Sequence, residues 1–314
     1  MIIQPMNQPL NGMASLTHLG VIGVRGEDAA TFLQGQLTQD FALLGTDDAR
    51  LAAFCTAKGR MQASFIGLRY GPDELLLVCQ RDLLAQTLKR LSMFVLRAKV
   101  KLRDATAEFQ LQGLVGDAVT HTLNADAPAW RRVDIGADVA AGVAVFLYPA
   151  DGQTRALLVQ PVNAPAPVVC PISLSDWQWS EVRSGVVLVA QPIFEALVPQ
   201  MLNYESVGGV SFKKGCYPGQ EISARSQFRG TLKRRAYLVH ADAALSAGQE
   251  VFEASDREQP CGIVVQAAVA PGGGSDAVVS MQIAAAAAGN LHVSTADGPA
   301  LELLPLPYAL LVDI

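Results

Sequence analysis

One cysteine of this 314-residue chain lies where its thiol could do chemistry. Cys216 comes two residues after Lys214, itself preceded by Lys213, and nearby cations stabilise a thiolate. The Pro218-Gly219 pair that follows favours a turn. We predict a reactive thiol on an accessible loop, and we expect Cys216 to be the only one of the five cysteines that solvent reaches. From the residues alone, a small buried apolar side chain is an equally weighted alternative.

The region around Cys216 is basic in an otherwise acidic chain. Between residues 211 and 240 only Glu221 is acidic, and seven residues are basic: Lys213, Lys214, Arg225, Arg229, Lys233, Arg234 and Arg235. The segment carries a charge of +6, while the rest of the chain carries −11. A local positive field of this kind favours an anionic ligand or partner, and a solvated basic face is the alternative of equal weight.

The pair Gln220-Glu221 follows the cysteine loop and could recognise a ring. An amide and a carboxylate can hydrogen-bond a heterocycle that carries an exocyclic amine and a lactam, as a pterin does. The alternative is structural, because a glutamate in the first turn of a helix interacts favourably with the helix dipole.

The elements that must position these residues indicate an α+β fold. The first 106 residues predict a strand at 18–24, a helix at 27–37, three strands with glycine-containing turns at 51–56, 61–70 and 74–80, a helix at 81–94 and a strand at 98–104. The next stretch predicts strands at 108–116, 129–135, 143–148 and 155–160, and helices that begin near Ser175 and Ile193. From residue 236 short strands and turns follow with no helical pattern, which is typical of a small β-barrel. We therefore predict an α+β domain at 1–106, a second at 107–235 and a barrel at 236–314.

Several function classes are disfavoured by composition and motifs. The chain has none of the common nucleotide, zinc-protease or serine-hydrolase motifs, and its four histidines are isolated in sequence. Five cysteines without a CxxC pair argue against a disulfide framework or a metal site. The net charge is −5, so we expect no DNA partner and no direct contact with tRNA. The uncharged stretches contain prolines or polar residues, and the N-terminus has no basic leader, so we expect a cytoplasmic protein without membrane contact.

Several motifs together resemble a known family. The segment KGCYPGQE, with GGVSF before it and ARSQFRG after it, is similar to the signature of the YgfZ family of folate-binding, tRNA-modifying proteins. FLQGQLTQD (32–40), AKGRM (57–61) and LVPQMLNYE (197–205) resemble further motifs of that family. The family belongs to the superfamily of the glycine-cleavage T-protein, an aminomethyltransferase.

The resemblance implies a fold, a cofactor and partners. The fold would be two α+β domains and a β-barrel, arranged like a cloverleaf around a central folate channel. The cofactor would be tetrahydrofolate or a derivative, and the partners would be iron–sulfur proteins, among them the radical enzymes that methylthiolate tRNA, whose clusters the protein helps to assemble or repair. Cys216 would be the reactive thiol. The residues implied to contact folate are Lys214, Gly215, Gln220, Glu221, Arg229 and Gly230, and we expect Lys213, Lys214, Arg225 and Arg229 to flank the channel and attract the glutamate tail.

This sequence differs from the aminomethyltransferases at two motifs, and both differences bear on a second interpretation, that the protein is a folate-dependent aminomethyl transferase. Those transferases resemble this chain near residues 59–64, but they carry an acid where this chain has Ser64, and a neutral hydroxyl cannot replace a carboxylate in proton transfer. Their Arg-x-Glu-x-Gly pattern is changed here to Glu181, Arg183 and Gly185, with the charges exchanged. Whether the chain is itself an enzyme stays open, and if it is one, a folate-dependent transferase is the class we expect.

Overall fold

The structure is a computed structural model that describes residues 9–136, 142–222 and 232–311. The first part of the chain forms β1 (Gly12–Ser15), β2 (Leu19–Arg25), α1 (Ala29–Gln34), β3 (Ala49–Cys55), β4 (Met61–Arg69), β5 (Glu74–Gln80), α2 (Arg81–Ser92) and β6 (Lys101–Asp104). The next part forms β7 (Phe109–Val115), α3 (Asp117–Leu123), β8 (Arg132–Asp134), β9 (Val143–Ala150), β10 (Gln153–Pro161) and α4 (Leu174–Arg183). The last part forms β11 (Arg234–Ala241), β12 (Glu250–Glu253), β13 (Gly262–Val269), β14 (Ser275–Gln282), α5 (Ile283–Ala288), β15 (Leu291–Val293) and β16 (Ala300–Leu304).

The first sheet has the strand order β3-β4-β5-β2-β6, and all its neighbours are antiparallel. Its central strands are buried on both faces, which explains why β2 is an almost continuous apolar run. Residues of α1 and α2 cover one face, with Leu33 and Leu84 in its core. The other face packs against the second sheet through residues such as Leu68 and Leu157.

The second sheet has the order β1-β7-β10-β9-β8 and is also antiparallel. Its edge strand β1 comes from the start of the chain, with Gly12 opposite Val115. The strands therefore cross the predicted boundary at residue 106, and the domain boundaries themselves stay predictions. Helix α3, which follows Gly116, has no counterpart among the predicted helices.

The C-terminal strands form a closed six-stranded barrel in the order β11-β14-β13-β12-β15-β16. The predicted α+β fold with a terminal barrel is confirmed. The expectation of no helix beyond residue 236 is wrong, because the alanine run at 284–288 forms most of α5. Alanine has the highest intrinsic helix propensity, and a run of five outweighs the strand pattern around it. None of the helices in the described ranges is long and apolar enough to cross a membrane.

Residues 187–210, which follow α4, pack between the first sheet and the barrel. The helix predicted near Ile193 is wrong, since only short 3-10 turns form there, at Gln191–Ile193 and Pro199–Leu202. Pro192 and Pro199 lack the N–H that a continuing helix needs. Val187, Leu202 and Tyr204 instead share a core with Leu51 of β3 and Leu238 of β11.

The second sheet and α4 meet at a close contact that we expect to be sensitive to substitution. A Cβ on Gly113 of β7 would lie 2.5 Å from the buried ring of Trp177. Gly113→Ala should therefore lower the free energy of unfolding by about 1–3 kcal/mol through overpacking. Urea titration measures this. Gly45→Ala is the matched control, because its Cβ would meet no atom within 4 Å, and an equal loss in both variants would contradict the packing argument.

Candidate functional site

Lys214 fixes the cysteine loop to the fold. Its side chain is buried, and Nζ donates hydrogen bonds to the carbonyl oxygens of Gln34 and Leu37, each at 2.5 Å. Gln34 is the last residue of α1, where unpaired carbonyls and the helix dipole favour a cation. The ring of Tyr217 lies 4.7 Å from Nζ on another side. The segment 32–40 and the cysteine loop, about 180 residues apart, thus meet at one ammonium group.

Burial also changes the titration of this ammonium group. It lowers the pKa of Lys214 to about 8, and the charges of Asp40 and Cys216 act in the opposite direction. The carbonyls and the tyrosine ring already take up its ammonium group, so Lys214 is a structural anchor as well as a neighbour of the thiol. Lys213, by contrast, is exposed and lines a surface groove with Asp48 and Arg131.

Thr38 and Gln39 of the FLQGQLTQD motif hold the glycine pair that precedes the loop. Thr38 Oγ1 donates to the Gly209 carbonyl at 2.6 Å, and its backbone carbonyl accepts from Ser211 N at 2.9 Å. Gln39 Nε2 donates to the Gly208 carbonyl at 2.7 Å. The order of polar residues in FLQGQLTQD therefore follows from the backbone groups that each must satisfy.

The turn of AKGRM supports the loop from the other side. Gly59 and Gly219 both have positive φ, +72° and +81°. A Cβ on Gly219 would lie 2.6 Å from the Gly59 Cα and 2.6 Å from the Thr56 carbonyl oxygen. Only glycine allows both the backbone conformation and this approach. The end of the hairpin is bound in turn to the LVPQMLNYE motif, because Met61 N donates to the Leu197 carbonyl at 2.8 Å.

Cys216 lies exposed between two anchored neighbours, Lys214 and Tyr217, both buried. Its predicted accessibility is confirmed, but the expectation that no other cysteine is exposed is wrong, since Cys170 is exposed as well. The prolines around Cys170 keep it on a surface crossover, whereas Cys55 and Cys79 lie in strands. Burial raises the pKa of Cys55 and of Cys79 to about 12.

The other predicted site residues differ in their exposure to solvent. Gly215 is exposed and has open space around it, Gln220 is partly buried, and Glu221 is exposed. Arg225, Arg229 and Gly230 lie outside the described residues. Their contacts with folate stay predictions.

A small cavity of about 40 Å³ lies where the two sheets, α4 and the barrel meet. Its lining comprises Ile66, Gln80, Trp130, Leu147, Tyr148, Arg155, Glu181, Ser184, Val186, Leu188 and Gln266. None of the predicted folate contacts within the described ranges belongs to this set. The two lysines expected to flank the channel, Lys213 and Lys214, are absent from it as well, because one lies at the surface and the other is anchored to α1.

The polar groups of this cavity are held in place by α4. Glu181 Oε1 accepts from Trp177 Nε1 at 2.9 Å, and His18 Nε2 lies 3.2 Å from both carboxylate oxygens. The Arg155 guanidinium stacks on Trp177 at 4.4 Å, and burial lowers its pKa to about 10 while Glu181 acts to raise it. The buried Oε1 of Gln266 has no hydrogen-bond partner among the described residues.

The exchanged charges on α4 are explained by this arrangement. Glu181 faces the cavity, whereas Arg183 pairs with Asp151 and Asp276, the latter at 3.5 Å. Ser64 is fully buried, and its Oγ accepts from Val189 N at 2.8 Å, so it has a structural role in place of an acid.

The sequence analysis did not identify Arg155 and Gln266 as residues of this cavity. Trp177 could have been found, because it lies four residues before Glu181 on the same helix face.

Comparison with known proteins shows the family to which the chain belongs. No protein-family model matches the chain. The protein from Edwardsiella ictaluri named tRNA-modifying protein YgfZ is 31% identical over 302 residues, which cover 92% of this chain and 89% of that protein. The protein of the same name from Vibrio vulnificus is 32% identical over 74% of this chain and 70% of its own length. The chain belongs to the YgfZ family.

The YgfZ chain also shares its fold with an aminomethyltransferase. The crystal structure of glycine cleavage system aminomethyltransferase T from Bartonella henselae matches with a TM-score of 0.69, at 15% identity, over 96% of this chain and 87% of that one. The identity is too low to transfer activity, so this match concerns the fold alone.

We expect Lys214→Met to destabilise the protein, because the carbonyls of Gln34 and Leu37 lose their donor. The loss should be about 1–3 kcal/mol. Unfolded Lys214 has a pKa of about 10.4, so between pH 8 and 10 the unfolded wild-type chain binds more protons than the folded one at this residue. The free energy of unfolding of the wild type should therefore rise with pH across this window relative to the variant. Lys213→Met is the control, and a gap between wild type and Lys214→Met that is flat in pH would contradict the assignment.

The exposure of the cysteines predicts their order of alkylation. Under native conditions iodoacetamide should modify Cys216 and Cys170 first. Cys55, Cys79 and Cys261 should lag, since burial raises the pKa of each thiol and blocks the reagent. Mass spectrometry of tryptic peptides over a time course reads the order. Modification of Cys55 as fast as that of Cys216 would show that the described packing does not hold in solution.

Proposed function

We propose that this YgfZ protein is a folate-binding accessory factor in tRNA modification, with Cys216 as its reactive thiol. In this proposal it works in the cytoplasm, where reducing conditions keep the thiol free, and it helps to assemble or repair the iron–sulfur clusters of client enzymes, among them the radical enzymes that methylthiolate tRNA. One observation carries the proposal: the motifs FLQGQLTQD and AKGRM, both far from the loop in sequence, hold a loop that exposes a cysteine.

The burial of Lys214 and Tyr217 and the exposure of Cys216 support a role in which the thiol reacts with or binds to a partner protein. Buried neighbours on both sides restrict the backbone, while the thiol itself is open to solvent. A thiolate is a good nucleophile and a good ligand for iron. Within the described ranges no cluster of His, Cys, Asp and Glu could hold a metal ion, so the iron–sulfur cluster belongs in this proposal to the client, as substrate.

The central cavity supports folate binding by its chemistry. The pterin ring of tetrahydrofolate presents an exocyclic amine and ring N–H groups, which are donors. Glu181 and the unpartnered Gln266 Oε1 are acceptors that these donors would satisfy. Trp130 and Tyr148, whose ring centroids are 5.9 Å apart, supply an aromatic wall.

The size of the cavity adds a requirement. A cavity of about 150 Å³ holds a benzene ring, and this one measures about 40 Å³. A pterin can therefore enter only if the lining side chains move apart. Several of these side chains are only partly buried, among them Tyr148 of the aromatic wall.

The residues present disfavour the aminomethyl transferase. That reaction requires a carboxylate near the folate nitrogen and the substrate amine, and Ser64 offers none. Its hydroxyl is already hydrogen-bonded to Val189 N and to the Tyr204 hydroxyl. We therefore assign no group-transfer chemistry to this chain.

Folate binding can be tested at the cavity. Calorimetry with tetrahydrofolate should show binding to the wild type, and Glu181→Gln should weaken it about 10- to 100-fold, the loss expected for a hydrogen bond to a charged group. Glu250→Gln, on an exposed end of β12, is the control. Absence of binding by the wild type, or equal binding by Glu181→Gln, would contradict the cavity assignment. Formation of methylene-tetrahydrofolate from an aminomethyl-lipoyl carrier would instead support the transferase.

The thiol can be tested in cells. In a strain without the gene, Cys216→Ser should fail to restore tRNA methylthiolation, because a hydroxyl is not ionised at neutral pH. Cys170→Ser, which changes the other exposed cysteine, should restore it. The modified nucleoside is measured by mass spectrometry of digested tRNA. Full restoration by Cys216→Ser would show that the thiol is dispensable.

A further inference from the structure

A second basic region follows the middle of α2 and is independent of the cysteine loop. Between Asp82 and Asp104 the chain has six basic residues and no acidic one, in a protein of net charge −5. Lys99 and Arg103 form ion pairs, with Glu27 and Glu74 respectively. In the part of the chain that the structure describes, no ion pair engages Lys89, Arg90 or Arg97, all of which are exposed. These three cations present unneutralised positive charge.

Large apolar side chains are exposed among these cations. Met93 is 62% exposed, Leu96 is 87% exposed and Phe94 is 39% exposed. They lie on the turn that continues from α2, where Phe94 N donates to the Leu91 carbonyl at 3.0 Å, so the backbone that carries them is ordered by hydrogen bonds. Exposed apolar groups concentrated within four residues and rimmed by cations are typical of an interaction site.

A pocket of about 290 Å³ adjoins this turn. Its lining combines two aromatic rings with polar groups: Phe54, Gln62, Gln86, Thr87, Arg90, Phe194 and Glu195. The pocket and the turn are continuous, since the guanidinium of Arg90 lies over the Phe94 ring at 5.5 Å and the Phe54 and Phe94 centroids are 6.3 Å apart. We call the exposed turn and this pocket together the α2 surface.

The pocket has features of a site that a partner completes. Thr87 is 3% exposed, and its hydroxyl has no hydrogen-bond partner among the described residues. A buried hydroxyl left unpaired is costly, and a polar group entering the pocket would satisfy it. Glu195, at the rim, has a φ of +56°, a conformation that residues other than glycine seldom adopt.

The α2 surface lies close to the cysteine loop in the fold. Phe54 of the pocket forms a backbone bridge with Leu37, and the Leu37 carbonyl is one of the two that bind Lys214. Phe54 is also two residues before Thr56, whose carbonyl contacts the Gly219 turn. A partner that occupies the pocket is thus one strand away from the anchor of Cys216.

We propose that the α2 surface binds an acidic segment of a partner protein, and that a large side chain of that segment, with both apolar surface and a hydrogen-bonding group as in tyrosine, occupies the pocket. The cations Lys89, Arg90 and Arg97 match acidic groups by charge complementarity. A protein segment fits better than RNA, because Met93 and Leu96 are aliphatic and cannot stack on bases, and the Phe94 ring is already covered by Arg90. A concave pocket with an unpartnered hydroxyl fits a side chain better than a flat lipid surface. The inference goes beyond the proposed function and does not depend on folate binding or on the thiol.

The test is site-specific photo-crosslinking in the cells that make the protein. The crosslinker p-benzoylphenylalanine replaces Leu96 in one version and Val168, which is fully exposed elsewhere, in the control. The crosslinked peptides are sequenced by mass spectrometry. We expect Leu96 to crosslink to protein segments rich in Asp and Glu that contain a tyrosine or tryptophan, and Val168 not to do so.

Charge reversal tests whether the exposed cations of the α2 surface are needed for the Leu96 crosslinks. Lys89→Glu with Arg97→Glu should reduce the Leu96 crosslinks by at least about tenfold. Arg25→Glu with Arg257→Glu, which reverses two exposed charges elsewhere, should leave them unchanged. The proposal is overturned by adducts with RNA or lipid only, by crosslinked segments that are not acidic, by the same adducts at Val168, by no adduct above background, or by no effect of the Lys89 and Arg97 reversals. Failure of folate binding or of Cys216 function would leave each of these outcomes unchanged.

Discussion

The buried ammonium group of Lys214 is the interaction on which the candidate site depends. Taking a charge out of water is expensive unless hydrogen bonds compensate, and the carbonyls of Gln34, at the end of α1, and of Leu37 supply part of that compensation. The same contact fixes the backbone on one side of Cys216, while the approach of Gly219 to Gly59 fixes it on the other. Motifs that are far apart in the chain are therefore parts of one support for a single exposed thiol.

The thiol and the central cavity are two places in one fold, connected by the segment that precedes the loop. Val186 and Leu188 of this segment line the cavity, and Val189 is held by Ser64 of β4. Further along the chain, Thr38 and Gln39 of the FLQGQLTQD motif bind the carbonyls of Gly209 and Gly208. A ligand that opens the cavity would press on one end of a segment whose other end carries the cysteine loop. In the proposed function, folate and the thiol therefore need not touch each other.

Much of the fold followed from the sequence because its signals were local. The apolar runs of β2 to β5 and the regular spacing of leucines in α2 identify their elements, and the glycine-rich turns of the last 80 residues identify the barrel. The site was predictable only where it is continuous in sequence, as at Cys216. Arg155 and Gln266 come to the cavity from different strands, and no local pattern signals that the two sheets and the barrel meet there. The anchoring contacts of Lys214 were missed for a related reason, since its partners are backbone carbonyls of a distant segment, which side-chain patterns do not reveal.

The central claim is that the Lys214 anchor presents the Cys216 thiol for function, and the most direct measurement is tRNA methylthiolation in the deletion strain with the anchor removed and the thiol kept. Lys214→Met, expressed at the wild-type level, is compared with Lys213→Met, which removes the neighbouring exposed cation. The account predicts that Lys214→Met fails to restore the modified nucleoside although Cys216 is intact, and that Lys213→Met restores it. Full restoration by a folded Lys214→Met protein would contradict the account.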